Sequence, residues 1–518
     1  MSTALGVAPD RTSGHTSPVL AARVALARQR LTPRLPNDGA WGWVAPVLVM
    51  TLAGILRLWR LGEPSTLVFD EAHYVPDSQG MMDHGVEYDT EKRAADFVVH
   101  PPVGKWVIAA GQWIFGQDAF GWRFGIAVLG TLSVLMLARI ARRMFGSTLL
   151  GCLAGLLLAL DGSHFVHSRT ALLDLVLMFF VLAAFGCLVV DRDATRARLA
   201  RMLATDQPLP GGRTGPSLGL RPWRIAAGVC LGLACGTKWS GLWVVAAFGV
   251  LAVLWDVGTR RTAGVEMPLL GTLRRDAVPA FASLVGVAAV VYLATWGGWF
   301  ASDSAHAWSR GWAQAHPGPS LVPGALVSLW HYHGEMLGFH RNLHESHPYE
   351  SNPWGWVVLA RPTSFFYETK AQGEMGCQVA QCSRAITGLG NPLVWWAGLL
   401  ALPACVALWV GRRDWRAGAL LCGFASGYLP WFLFAERTIF AFYSIAFLPF
   451  VVLAVTLCAG LVLGPADGSP RRRTVGTVAV TAYVLLVVAT FAYFYPVLSA
   501  EVIPTEDWQA RMWFPSWI

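Results

Sequence analysis

Leu67-Val68-Phe69-Asp70-Glu71-Ala72-His73-Tyr74 places two adjacent carboxylates about ten residues beyond the first membrane-length apolar run of the chain. A spanning helix needs roughly 20 mostly apolar residues, and the run before this stretch, near 43–60, is of that kind. Over 518 positions, 54% hydrophobic residues, 25 Trp and only 14% charged residues exclude one or two water-soluble domains of ordinary make-up. About eleven runs qualify as spans, near 43–60, 122–140, 147–161, 170–190, 224–236, 239–256, 277–297, 391–410, 417–434, 438–460 and 474–495. The chain therefore reads as an all-α polytopic membrane protein. An acidic pair held just outside a bilayer is a candidate catalytic base for chemistry on a lipid-borne substrate.

Basic residues set the expected orientation, because short loops rich in Arg and Lys stay in the cytoplasm. Arg23, Arg28, Arg30 and Arg34 precede the first span, and alternate connections are also basic: Arg139/Arg142/Arg143, Arg192/Arg196/Arg198/Arg201, Arg260/Arg261/Arg274/Arg275, Arg412/Arg413/Arg416 and Arg471/Arg472/Arg473. The net charge of +8 is mostly this topological signal and does not point to nucleic acid. The expected organisation is a disordered cytoplasmic tail over 1–42, without the apolar core of a cleaved signal peptide. A transmembrane module over 43–297 follows, with its catalytic loop at 61–121. Next come a large extracytoplasmic loop over 298–390, C-terminal membrane helices over 391–495 and an extracytoplasmic tail over 496–518.

Against this charge rule, each short outer connection keeps a cation. Lys105 ends the first outer loop, Arg123 opens the second span, Arg169 lies between the third and fourth, Lys238 between the fifth and sixth, and Arg437 between the ninth and tenth. Such a set suits the phosphate of a lipid carrier, which is recognised by charge-assisted hydrogen bonds; snorkelling or local pairing, as of Arg437 with Glu436, is the plainer alternative. Asp174, about one turn inside the fourth span, needs a polar cavity or a partner such as Arg169 or Thr170. His73 and His100 flank the acidic pair's loop and are candidates to orient a carboxylate or a sugar hydroxyl. His331, His333, His340, His344 and His347 cluster in sequence, but no metal-site motif accompanies them. Trp296, Trp299, Trp308, Trp312, Trp354 and Trp356 read mainly as an interfacial belt. Cys377 and Cys382, in the large outer loop, are expected to form a disulfide in an oxidising compartment; the other seven Cys lie within apparent spans as small apolar residues.

The ordered set Phe69-Asp70-Glu71-Ala72-His73-Tyr74, His100-Pro101-Pro102-Val103-Gly104-Lys105, Ser168-Arg169-Thr170-Ala171-Leu172-Leu173-Asp174 and Lys238-Trp239-Ser240-Gly241-Leu242 resembles the protein O-mannosyltransferases, the actinobacterial branch most of all. His347-Pro348-Tyr349-Glu350-Ser351 and Arg437-Thr438-Ile439-Phe440-Ala441-Phe442-Tyr443 continue the resemblance, which covers essentially the whole chain after the N-terminal tail. It implies a GT-C glycosyltransferase fold with the active site at the extracytoplasmic face of the plasma membrane. It implies a polyprenyl-phosphate-mannose donor and Ser/Thr hydroxyls of exported proteins as acceptors, with no cofactor and no metal. By the same resemblance Asp70 matches the catalytic base and Glu71 a second acidic residue that helps place acceptor or base. Arg123 matches a membrane-edge arginine, assigned with Lys105 and Lys238 to the lipid phosphate. The loop over 298–390 is too short for the β-trefoil MIR insertion of eukaryotic members.

Physical chemistry supplies a mechanism for such a site. A phosphate leaving group needs positive charge more than a strong acid, the acceptor hydroxyl needs a base, and a single in-line displacement inverts the anomeric carbon. The acceptor must arrive as an unfolded segment, during or just after export, which makes the membrane lipids and the secretion machinery its expected surroundings. Two other readings stay open at this stage: a related lipid-phosphate glycosyltransferase with another sugar or a lipid or glycan acceptor, and a transporter of a lipid-linked sugar.

Overall fold

The computed structural model describes residues 18–89, 91, 93–97, 99–205, 209–301, 311–318, 321–465 and 467–518. Trp308 and residues 1–17 of the expected N-terminal tail lie outside these residues. The apolar runs form helices α1 (Trp41–Leu58), α2 (Ala119–Phe145), α3 (Thr148–Ala159), α4 (Leu173–Met202), α5 (Pro222–Cys235), α6 (Gly241–Thr262), α7 (Ala277–Thr295), α8 (Pro392–Arg412), α9 (Trp415–Phe434), α10 (Leu448–Leu463) and α11 (Pro470–Leu498). Eight of them, all but α3, α5 and α10, are long and apolar enough to cross a membrane. The other three have 12, 14 and 16 residues; at about 1.5 Å rise per residue they fall short of a ~30 Å hydrocarbon core.

The core runs along α4 and α10. Leu173, Leu175, Val176, Met178, Leu182, Phe185 and Leu188 of α4, and Leu448 and Phe450–Ala454 of α10, are fully buried. Peripheral helices instead expose leucine, isoleucine and valine, such as Leu48 and Ile55 on α1 and Val475, Val478, Leu485 and Leu486 on α11, as a lipid-facing surface requires. α10 begins ten residues later than the apolar run near 438–460 suggests. Pro449 sets its first turn, and 438–447 is drawn into the loops beside the site.

Between α1 and α2 lie a helix, Glu71–His84, a short hairpin of β1 (Tyr88–Asp89) with β2 (Ala94–Ala95), and a helix, Val103–Phe115. That second helix lies directly against α2: a Cβ on Gly111 would overlap the Gly121 carbonyl oxygen, and one on Gly125 would overlap that of Val107. The large loop contributes a helix, Gly324–Asn342, and the strands β3 (Ser364–Ala371) and β4 (Gln381–Thr387). β5 (Ile503–Pro504) completes an antiparallel sheet of order β3-β4-β5. A disulfide joins Cys377 to Cys382 beside the β3–β4 turn.

These three extramembrane pieces meet on one side of the bundle. Arg384 on β4 bonds Glu63 of the first loop at 3.0 Å, Trp517 Nε1 donates to the Leu359 carbonyl at 2.7 Å, and Arg361 donates to the Ser516 carbonyl at 2.7 Å. The arginine-rich turns gather at the other end, where Arg221 and Arg224 share Asp191 and Asp256 and Arg142 pairs with Asp38. Two sequence expectations change. Residues 18–31, within the segment read as a tail, form a helix whose Leu31 packs on Leu199, Leu218 and Ala263. Trp296, Trp299 and Trp356 are buried, the first two packing with Val86, Leu329, Tyr332 and Met336; Trp354 is exposed, as a belt residue should be.

Candidate active site

Phe69 sets the geometry of the acidic pair. Its backbone takes φ +50°, an uncommon and costly conformation for a bulky residue. An aromatic box holds it there: the ring stacks on Phe365 at 5.0 Å and meets Phe440, Phe442 and His347 edge-on at 5.9, 5.5 and 6.1 Å. The turn delivers Asp70 and Glu71 to the start of helix Glu71–His84 with opposite fates.

Glu71 is wholly buried and fully used. It accepts from Arg123 Nε and Nη2, both at 2.8 Å, from the Val68 amide at 3.0 Å and from the Ala171 amide at 2.8 Å. Arg123 spends its remaining N–H groups on the carbonyls of Leu61, Pro64 and Thr66, so all five guanidinium donors are taken. Lys105 and Arg169 are likewise occupied. Lys105 is buried between Asp77 at 2.8 Å and Glu87 at 3.0 Å. Arg169 donates to the carbonyls of Leu56, Arg57, Trp59 and Arg60, where the last turn of α1 leaves orphan acceptors and a cation is favourable. Of the five cations assigned to a phosphate from sequence, three are therefore turned to the protein itself, and Glu71 with them.

The other two lead to a cavity of about 390 Å³ whose lining includes His100, Asp174, Lys238, His340, Arg341, Arg437 and Tyr443. Lys238 bonds Asp174 Oδ2 at 2.7 Å and lies 5.2 Å from the Tyr443 ring centroid. Asp174 stands in the first turn of α4, where the helix N-terminus favours a carboxylate, and its partner is Lys238 rather than Arg169 or Thr170. Arg437 forms no ion pair with Glu436 among the described residues, and its Nε has no hydrogen-bond partner. Leu177, Val181, Leu242, Val244 and Phe434 make the remaining wall apolar.

Asp70 is half-buried and does not itself line this cavity, but it is close enough to Lys238 and Asp174, which do, to feel their charges. The phenol of Tyr74 donates to it at 3.4 Å, the long end of a hydrogen bond, so most of its accepting capacity is open. Burial pushes the Asp70 carboxyl above its ordinary value, while the positive charge of Lys238 works the other way. His100 stacks on His340 at 5.2 Å; burial, with Lys238 next, holds His100 well below the usual histidine range, hence neutral. His340 Nε2 meets the Val99 carbonyl at 2.9 Å, and burial takes its pKa down to about 4. His73 is exposed. His344 Nδ1 lies 3.2 Å from the Glu436 carbonyl oxygen and His333 2.5 Å from the Tyr292 hydroxyl.

Sequence reasoning missed Arg341, Tyr74 and Tyr443. Tyr74, which donates to Asp70, and Tyr443, which lines the cavity, stand inside stretches whose similarity was visible, but nothing in their spacing separates either from a ring that only packs. Arg341 ends helix Gly324–Asn342, and its signal was only that a cation closes a helix with Trp and Leu exposed on it.

The bundle with its one-sided loops is the architecture of the GT-C glycosyltransferases. The solved Saccharomyces cerevisiae protein O-mannosyltransferase Pmt1-Pmt2 complex bound to the sugar donor superposes with a TM-score of 0.69 over 96% of this chain and 94% of that one, at 17% identity. ArnT from Cupriavidus metallidurans bound to undecaprenyl phosphate follows at 0.50, over 89% and 71%, at 18% identity. Residues 47–295 match the family model described as dolichyl-phosphate-mannose-protein mannosyltransferase, and 325–517 that of the C-terminal four-transmembrane region of protein-O-mannosyltransferase. Polyprenol-phosphate-mannose–protein mannosyltransferases of Mycolicibacterium smegmatis and Mycobacterium tuberculosis are each 43% identical, the first over 93% of this chain and 94% of its own length, the second over 93% of both. That of Corynebacterium glutamicum is 36% identical over 98% and 99%. The chain belongs to the protein O-mannosyltransferase family.

Proposed function

We propose that Asp70 is the base with which this protein mannosyltransferase draws the proton from a Ser or Thr hydroxyl as that oxygen attacks the anomeric carbon of polyprenyl-phosphate-mannose. The observation that carries the reading is an open carboxylate beside a cavity that collects Lys238, Arg437 and Arg341 against an apolar wall. The wall suits the first prenyl units and the cations suit the phosphate. As the glycosidic bond to phosphate breaks, negative charge grows on the leaving oxygen; fixed cations in a water-poor site stabilise it without reorganising. The hydroxyl proton passes to Asp70, and attack opposite the leaving group gives inversion.

Asp174 has a supporting part, fixing the Lys238 ammonium between the sugar and the base. Glu71, Arg123, Arg169 and Lys105 hold the loop that presents Asp70. In this reading the loop side faces outward, the arginine-rich side faces the cytoplasm, and the acceptor is an unfolded stretch of an exported protein.

The test is transfer of radiolabelled mannose from polyprenyl-phosphate-mannose to a Thr/Pro-rich peptide in membranes holding the native chain or Asp70→Asn at equal abundance. Label on the peptide with the native chain and loss of about 10²–10⁴-fold in rate with the variant is expected for a removed general base. Equal label with both would remove Asp70 from this role. Donor consumption without peptide label would move the acceptor to a lipid or glycan.

A further inference from the structure

A second cleft, of about 380 Å³, lies on the other face of helix Glu71–His84, lined by Leu67, Gln79, Asp83, Tyr88, Gln117 and Trp122 among others. At 100° per residue, positions 79 and 83 point roughly opposite to Asp70 and Tyr74. We propose that this cleft is a subsite for a mannosyl residue already carried by the acceptor polypeptide, so that the enzyme prefers substrates glycosylated a few residues from the target. The proposal rests on the reading that the acceptor is a protein.

A hexose presents a C–H face and a rim of hydroxyls that both donate and accept. The cleft offers the matching groups. Tyr88 stacks with His84 at 3.7 Å between centroids, giving an aromatic surface of the kind that packs on a C–H face. Asp83 accepts from Gln79 Nε2 at 3.2 Å; its second carboxylate oxygen remains for sugar O–H donors. Gln117 accepts from Gln112 Nε2 at 2.7 Å, which orients the amide and leaves its own N–H groups as donors. Trp122, only 8% exposed, has an indole N–H without a hydrogen-bond partner among the described residues, an unusual state for a buried donor. Volume and lining match a small-molecule site, with a mostly apolar wall and a few placed polar groups.

The position fixes the spacing. Leu67 at the rim is three residues from Asp70, and a helix with its side chains is about 10–12 Å across. An extended acceptor advancing ~3.3 Å per residue needs three or four residues to reach from Asp70 to the cleft. A sugar on a residue ten positions away would overshoot it.

The experiment compares three peptides: unmodified, carrying α-mannosyl-Thr four residues from the acceptor Thr, and carrying it ten residues away. The enzymes are the native full-length chain, Asp83→Ala and Tyr88→Leu. The expected result is a KM about tenfold lower for the four-residue peptide with the native chain, a difference of about 1.4 kcal/mol. The ten-residue peptide should show no gain, and both variants should lose the gain while keeping the native rate on the unmodified peptide. No gain with the native chain, or a gain that survives in both variants, overturns the subsite. Failure of every peptide to accept label would be a failure of the acceptor reading instead. The subsite is then judged by saturation-transfer NMR of methyl α-mannoside with the purified chain. Magnetisation reaching the sugar ring protons with the native chain but not with Asp83→Ala supports it; no transfer with the native chain, or equal transfer with both, overturns it. Labelling of the Tyr88 segment by a photoreactive phospholipid that mannosylated peptide fails to displace would make the cleft a lipid site.

Discussion

Asp70 and Glu71 are neighbours in sequence and belong to two different kinds of region. Around Glu71 the polar groups are turned to the protein: Arg123 gives five N–H groups to one carboxylate and three carbonyls, Arg169 donates to four backbone carbonyls, and Lys105 is held between two carboxylates. Around Asp70 the polar atoms are kept in reserve: one long hydrogen bond from Tyr74, an Arg437 Nε with no partner among the described residues, and cations facing a cavity. The closed region can hold shape because nothing in it awaits a ligand. The open region has groups left for a ligand, and the turn at Phe69 that presents Asp70 is held by the aromatic box.

The sharpest way to break this comparison is to remove each carboxylate in turn. Asp70→Asn should lower kcat by about 10²–10⁴ with an unchanged melting midpoint in detergent. Glu71→Ala leaves a buried guanidinium uncompensated, a loss of about 3–5 kcal/mol, seen as lost folded protein in size-exclusion profiles. An inactive but fully stable Glu71→Ala would place Glu71 in the open region and end the distinction. Next in size, Arg437→Gln or Arg341→Gln should raise the donor KM about tenfold or more, since a hydrogen bond to a charged group is worth roughly 1.5–3 kcal/mol. Arg169→Gln should spare the donor KM in whatever protein folds.

A smaller effect concerns pH. In its proposed role Asp70 works as a base only when ionised, so activity should rise with pH through its pKa. Because burial raises that pKa, the acid limb of kcat/KM should lie above the ordinary aspartate value of about 3.9. Lys238 favours the carboxylate, so Lys238→Met should move the limb to still higher pH, measured in the activity that remains. Smallest of all, exposed His73 replaced by Gln should change kcat/KM by less than about threefold; a large loss would bring it into the open region.

The membrane helices were legible because an apolar run of helical length has one physical outcome in lipid. The start of α10 was misread because 438–447 is equally apolar for another reason: Phe440 and Phe442 box Phe69. The cations were found but not sorted. Arg169 and Arg437 have the same address at a membrane edge, and what separates them is that the α1 carbonyls lie within reach of one, about 110 positions away in sequence. No local pattern carries that information. Asp70 was recoverable because its motif is contiguous, and Arg341 was not because it stands alone in a long loop.

Phe69 and the rings that hold it are made at different times. Some 370 residues separate Phe69 from Phe440, and at about 5–20 residues per second the ribosome needs roughly 20 to 70 s to cover them. During that interval the acid and most of its supporting salt bridges have already been synthesised, but the box that holds their turn is incomplete. If Asp70 is the base and its acceptors are unfolded chains in transit, as proposed, the enzyme is assembled with its base disarmed until its own second half has arrived.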